Sequence, residues 1–246
     1  TTEIYTLSLH DALPICGQRR FLRARPRGGH PEAKAGQMKC LIITAGAQPS
    51  AELIAAHRKD ADMVIGVDGA ADTLIRYVLW PHMLVGDFDS ADRADVERIE
   101  AAGAKLVRLS PKKNETDTEI AMNLALEAGA DDIVILGALG LRLDHALGNL
   151  AMLIKAHRHG ARCRIIDELH EITAAHGECE LHGRVGQTVS LLPMAGDATV
   201  TATGLVYPLD GLVLRSDAAR GISNIIAETP VRLFVSGGYV LVIKIS

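Results

Sequence analysis

Asp87 and Asp89 stand two apart in Val85-Gly86-Asp87-Phe88-Asp89-Ser90, directly after an apolar run that reads as a strand. On continuous β-structure both carboxylates leave the same face. Asp117 follows in Asn114-Glu115-Thr116-Asp117-Thr118-Glu119, and Asp68 closes another apolar run at 63–67. All four lie just past expected strands or at a helix start, hence on one edge of a parallel sheet. Hard oxygen donors there suit Mg²⁺ and, through it, nucleotide phosphates. Asp117 also falls in the first turn of a helix, where a negative side chain is favoured without any ligand.

Phosphates also need donors. Lys112 and Lys113 precede Asp117, and as loop lysines they serve either a phosphate or the solvent. The turn Gly137-Ala138-Leu139-Gly140 leads into Leu141-Arg142-Leu143-Asp144-His145. Glycines at a strand-to-helix turn admit backbone close to phosphate, and they also serve tight turns with no ligand. Arg142 offers a two-pronged donor; Asp144 is a phosphate-site residue, a partner for Arg142 or a helix cap. The P-loop pattern, G-x-x-x-x-G-K-[ST], is absent. His157, His159, His170, His176 and His182 have no recurring ligand spacing, which argues against zinc.

These side chains need a scaffold, and the sequence supplies one by alternation. Apolar runs at 40–44, 63–67, 82–85, 105–109, 132–136 and 162–166 are separated by helix-length segments. Ser50, Ser90 and Thr116 are expected helix caps, and Thr116 with Glu119 has capping-box spacing. Six strands with intervening helices predict a doubly wound parallel α/β sheet over residues 38–167. Aromatics are only 3% of the 246 residues, so Ala, Leu, Ile and Val must build the core. After Asp167 the rhythm changes to short segments at 170–175, 178–182, 187–192, 198–202, 211–215, 222–227, 231–236 and 239–245, divided by Gly, Pro and Asp. That predicts a small all-β sandwich domain over 168–246, packed on the first with no long linker.

The charge of −4 argues against a nucleic-acid partner, and no apolar run is long enough to span a membrane. Cys16, Cys40, Cys163 and Cys179 form no C-x-x-C pair, so a reducing cytoplasmic setting is expected. Residues 1–37 stand apart. Arg19, Arg20, Arg23, Arg25 and Arg27 fall among Pro and Gly with no acid, which reads as disorder. Residues 2–15 resemble a translated sequencing adapter, so this leader is expected to be artefactual and dispensable, with Met38 as the start. Setting aside its six basic and three acidic side chains leaves a charge of about −7.

Taken in order, Val67-Asp68-Gly69-Ala70-Ala71, Gly86-Asp87-Phe88-Asp89-Ser90, Glu115-Thr116-Asp117-Thr118-Glu119 and Arg142-Leu143-Asp144-His145 resemble the motifs of bacterial thiamine pyrophosphokinases. Gly204-Leu205-Val206-Tyr207-Pro208-Leu209 and Gly221-Ile222-Ser223-Asn224 are similar to that family's second-domain motifs. The resemblance runs from about Met38 to Ser246. It implies Mg²⁺-dependent transfer of diphosphate from ATP to thiamine, releasing AMP, in a homodimer with thiamine near the interface. Asp87, Asp89 and Asp117 would then be the catalytic carboxylates and metal ligands. Asp68, Lys112, Lys113, Arg142 and Asp144 would bind ATP and its phosphates, and Ser223 and Asn224 would contact thiamine. The chain departs from the family at Leu141, where Gly is usual, and at Ile225, where an acid is usual. A diphosphokinase for another hydroxymethyl acceptor, such as a pterin, is the enzymatic rival. A non-catalytic thiamine or nucleotide sensor is the rival from another class.

Overall fold

Strands rich in Ile, Val and Leu form the centre of the molecule because both of their faces are covered. The computed structural model describes residues 37–246 except Ser90, Pro111 and Leu141; the expected leader through residue 36 and the expected cap Ser90 lie outside the described residues. Six parallel strands are β1 (Met38–Ile43), β2 (Met63–Val67), β3 (Met83–Gly86), β4 (Lys105–Arg108), β5 (Ala130–Leu136) and β6 (Arg162–Ile166). Their spatial order is β4-β3-β2-β1-β5-β6. Helices α1 (Ala51–Arg58), α2 (Ala71–Arg76) and α3 (Arg93–Ala101) contribute Ile54, Leu74, Val96 and Ile99 to a core on one face. On the other face α4 (Asp117–Glu127) and α5 (Leu143–Arg158) bring Met122, Leu124, Leu153 and Ile154. The winding reverses between β1 and β5, which makes their loops the switch point of the sheet.

Capping follows the sequence in two places and departs from it in one. Ser50 Oγ accepts from Leu53 N at the start of α1, and Thr116 Oγ1 accepts from Glu119 N at the start of α4. Glu119 does not complete a reciprocal capping box; its carboxylate instead reaches Lys155 of α5 at 2.8 Å. Helix α3 starts at Arg93, two residues beyond the start that a cap at Ser90 predicts, because the Asp92 carboxylate accepts from Ala94 N at 2.7 Å.

The antiparallel half differs from the eight short strands expected. Residues 170–175 and 178–182 merge into β7 (His170–Leu181), 187–192 and 198–202 into β8 (Thr188–Thr203), and 231–236 and 239–245 into β11 (Val231–Ile245). Gly183, Gly186, Gly204, Pro208 and Pro230 do fall between strands, whereas Pro193, Gly196 and Gly237 lie inside long ones. Gly177, Ala195, Gly196 and Gly237 all have positive φ, and the β11 register shifts at that level. Strands β9 (Leu209–Leu214) and β10 (Asn224–Ile225) both pair with β8. The inner face of this sandwich-like region buries its own core, including Val189, Leu191, Val200, Leu214, Ile226 and Val242. Strand β7 pairs antiparallel with β6, so parallel and antiparallel halves share one continuous sheet.

On the α1 side of that junction Asp132 is 7% exposed and holds two arginines, Arg162 through Nη2 at 2.7 Å and Arg164 through Nη2 at 3.2 Å. Burial pushes its carboxyl up, but the two guanidiniums outweigh burial and hold it below the usual carboxylate range. The stability it contributes is therefore full above the unfolded pKa of about 3.9 and lost as pH falls through the lower folded value. Asp132→Asn should cost about 2 kcal/mol at neutral pH, less than a fully buried pair because Arg162 is half exposed. It should also flatten the acid limb of a urea-denaturation series; an unchanged acid limb would remove Asp132 from that role.

Candidate active site

Strand register brings three of the four aspartates together. Val67 of β2 is paired with Val85 of β3, so Asp68 lies beside Gly86 and next to Asp87. Oxygens of Asp68, Asp87 and Asp89 all fall within 4.8 Å of one another. Two non-glycine residues here adopt left-handed backbone, Asp68 at φ 45 and Phe88 at φ 60. Asp enters that region more readily than most residues, whereas Phe does so at a cost that its surroundings must cover. The Phe88 ring packs on the α1–α3 core and lies under the Arg108 guanidinium at 5.4 Å. Asp89 N donates to Asp87 Oδ1 at 3.3 Å, an Asx turn that sets the spacing of the two carboxylates. Gly86 is required by space: a Cβ there would sit 2.9 Å from Asp68 Cα and 3.0 Å from its Oδ1.

The donor set fits a small hard cation. Carboxylate oxygens around Mg²⁺ at about 2.1 Å are separated by roughly 3.0 Å when adjacent and 4.2 Å when opposite. Three oxygens within 4.8 Å reach that arrangement with small side-chain movements. Three like charges this close also repel unless a cation or protons neutralise them.

The remaining expected site residues lie elsewhere. Asp117 is at the first turn of α4 on the same edge but outside the trio, its Oδ1 paired with Lys113 Nζ at 2.6 Å. The Lys112 side chain is exposed, and its backbone N donates to Ser110 Oγ. Arg142 and Asp144 face each other at the start of α5, with Nη2 at 2.6 Å from Oδ2, both largely exposed. The guanidinium holds the Asp144 carboxyl below the usual range. At the switch point, the room that side chains at Gly137 and Gly140 would need is filled by the β1 loop, Thr44 O and Gly46 Cα being the nearest atoms. Those glycines let two loops interlock.

Ser223 and Asn224 lie on the antiparallel half. From β3 to β10 is eight strand steps along the sheet, on the order of 38 Å at about 4.8 Å per step. Ser223 is exposed, with φ 59. Asn224 is buried, and its amide is engaged with the Tyr207 backbone. Tyr207, which enters the sequence reading only within the motif from Gly204 to Leu209, is 61% exposed, and Val206 and Ile222 of the two turns are exposed as well. A tyrosine between Gly204 and Pro208, in a chain so poor in aromatics, was the signal that could have found it.

Comparison with known proteins divides the chain in the same sense as its strands. Residues 55–165 match the family model described as "Thiamin pyrophosphokinase, catalytic domain", and residues 170–240 match "Thiamin pyrophosphokinase, vitamin B1 binding domain". The thiamine pyrophosphokinase of Bacillus subtilis is 31% identical over 191 residues, covering 76% of this chain and 89% of that protein. Thiamin pyrophosphokinase 1 of Caenorhabditis elegans is 26% identical, covering 74% and 78%. The crystal structure of the Bacillus subtilis enzyme superposes with a TM-score of 0.76 at 27% identity, over 85% of this chain and 99% of that one.

Proposed function

The chain belongs to the thiamine pyrophosphokinase family, and on that premise we propose how the two ends of its sheet share the reaction. The reaction is transfer of diphosphate from ATP to the hydroxyethyl oxygen of thiamine. The observation that carries our reading is the carboxylate trio at the ends of β2 and β3. Asp68, Asp87 and Asp89 would hold Mg²⁺ there. When bound, the ion would neutralise phosphate charge and orient the β-phosphoryl group. Lys112, Lys113 and Arg142, on loops of the same edge, would hold the phosphates, Lys113 and Arg142 by exchanging their carboxylate partners for phosphate oxygens.

In the transfer, the thiamine hydroxyl oxygen forms a bond to the β-phosphorus. The bond from that phosphorus to the oxygen bridging the α-phosphate breaks, and AMP leaves with the electron pair. The hydroxyl proton passes to a carboxylate. Asp117 would be that acceptor, since it stands outside the trio and would keep its oxygens off the cation once Lys113 turns to phosphate.

Thiamine, with its cationic thiazolium, would be recognised on the antiparallel half by the Ser223 hydroxyl and the exposed Tyr207 ring. Along the sheet, eight strand steps lie between that surface and the trio. A homodimer, in which one protomer's sandwich faces its partner's trio, accounts for both. The reading carries a reducing, cytoplasmic setting with it; Cys40, Cys163 and Cys179 are free thiols, and no helix among the described residues is long and apolar enough to cross a membrane. Incubation with ATP, Mg²⁺ and thiamine should yield AMP and thiamine diphosphate in equal amounts. ADP with thiamine monophosphate would overturn the assignment of attack to the β-phosphorus.

A further inference from the structure

We infer that Asn224 and Ser190 are positioning residues that shape the thiamine-binding surface from behind, without touching the substrate. The inference rests on the reading that thiamine binds the antiparallel half. Asn224 is 5% exposed and Ser190 is 6% exposed. Asn224 Oδ1 accepts from Tyr207 N at 3.1 Å and from Ile225 N at 2.8 Å, while Nδ2 donates to Tyr207 O at 2.7 Å. Both acceptor sites of the amide oxygen are therefore used, and one of its two N–H donors. Both backbone groups of Tyr207 are clamped by a single buried side chain.

Ser190 does the same for the other exposed group. Its Oγ accepts from Ser223 N at 3.0 Å, where Ser223 has left-handed backbone. Gly221 O accepts from Leu191 N at 2.8 Å, and Val206 N donates to Ile225 O at 2.9 Å. The turns at 204–209 and 221–225 are thus tied to β8 and to each other. A polar side chain buried without return costs stability, so its hydrogen bonds must be placed where they fix something. What these two fix is the backbone under Tyr207 and Ser223, both of which are exposed. A ring whose backbone is held presents its face with little further loss of entropy on binding.

A double-mutant cycle read in the thiamine KM separates this role from direct contact. Tyr207→Ala should raise the thiamine KM about tenfold, with the ATP KM unchanged. Asn224→Ala should do the same on its own, about tenfold. Added to Tyr207→Ala, it should change the thiamine KM less than about twofold further, since there is no ring left to position. Multiplying effects, about a hundredfold in the double variant, would put Asn224 against the substrate and overturn the proposal. Asn224→Asp keeps the accepting oxygen and loses the donor to Tyr207 O; in the same cycle it serves if the alanine variant does not fold, with the same two outcomes. An unchanged thiamine KM in Tyr207→Ala, with the fold intact by thermal melting, would instead refute the reading on which the inference rests.

Discussion

Asp87→Asn and Asp89→Asn should each lower kcat about a thousandfold, on the order of 4 kcal/mol of barrier, while leaving the fold intact. Each change removes a charge at constant size. Asp87 is half-buried and Asp89 exposed, so neither substitution opens a cavity. In the Asp87→Asn protein the new amide oxygen can still accept from Asp89 N, so the turn survives. With the ion absent, relief of repulsion within the trio should hold Tm level or raise it. Ion binding in the presence of a non-hydrolysable ATP analogue, followed by calorimetry, adds a sharper comparison. The two cluster variants should lose the ion, and Asp117→Asn should retain it, because Asp117 stands outside the trio and pairs with Lys113. Near wild-type turnover at saturating Mg²⁺ in both cluster variants would remove the metal assignment.

That comparison marks the limit of what the residues alone could tell. Which side chains reach the sheet edge was legible, because an aspartate after an apolar run can go nowhere else in a parallel sheet. Which of them converge was not. Asp68 joins Asp87 through the β2–β3 register, and register is a contact between segments that no local spacing encodes. Asp117 lies near in the order of motifs but is set aside by its own lysine four residues earlier. The second half shows the same division. Its all-β character followed from the Gly and Pro punctuation, but a glycine that ends a strand and one that bends it look identical in sequence. Gly177 and Gly237 do the second, so pairs of expected strands became single bent ones. Asn224 was legible as part of a motif, but its engagement was not: a motif marks a residue, whereas the fold buries its amide against the backbone of Tyr207.

Gly46→Ala should be among the most destabilising single substitutions in the α/β half, at about 3 kcal/mol or more and a fall in Tm of about 10 °C. The cause is space, not backbone angle. A Cβ at Gly46 would lie 2.2 Å from Gly137 O and 2.7 Å from Leu139 O. Both atoms are backbone, so no rotamer change can make way. The opposing loop is also held in place, since Gly46 N donates to Gly137 O at 2.8 Å and the buried Asn149 Nδ2 of α5 donates to Ala138 O at 2.8 Å. Room can come only from separating the β1 and β5 loops, which breaks those hydrogen bonds at the switch point of the sheet. The same separation should raise the ATP KM and leave the thiamine KM unchanged, because the antiparallel half is not involved. Gly148→Ala is the matched control. It lies on α5 with nothing within 4 Å of its added Cβ, so it should stabilise by about 0.5–1 kcal/mol through helix propensity. Thermal melts of the two variants should therefore move in opposite directions. A Gly46→Ala protein that melts with or above the parent would show that the two loops can part at little cost, and that the interlocked glycines do not hold the edge on which ATP is expected to bind.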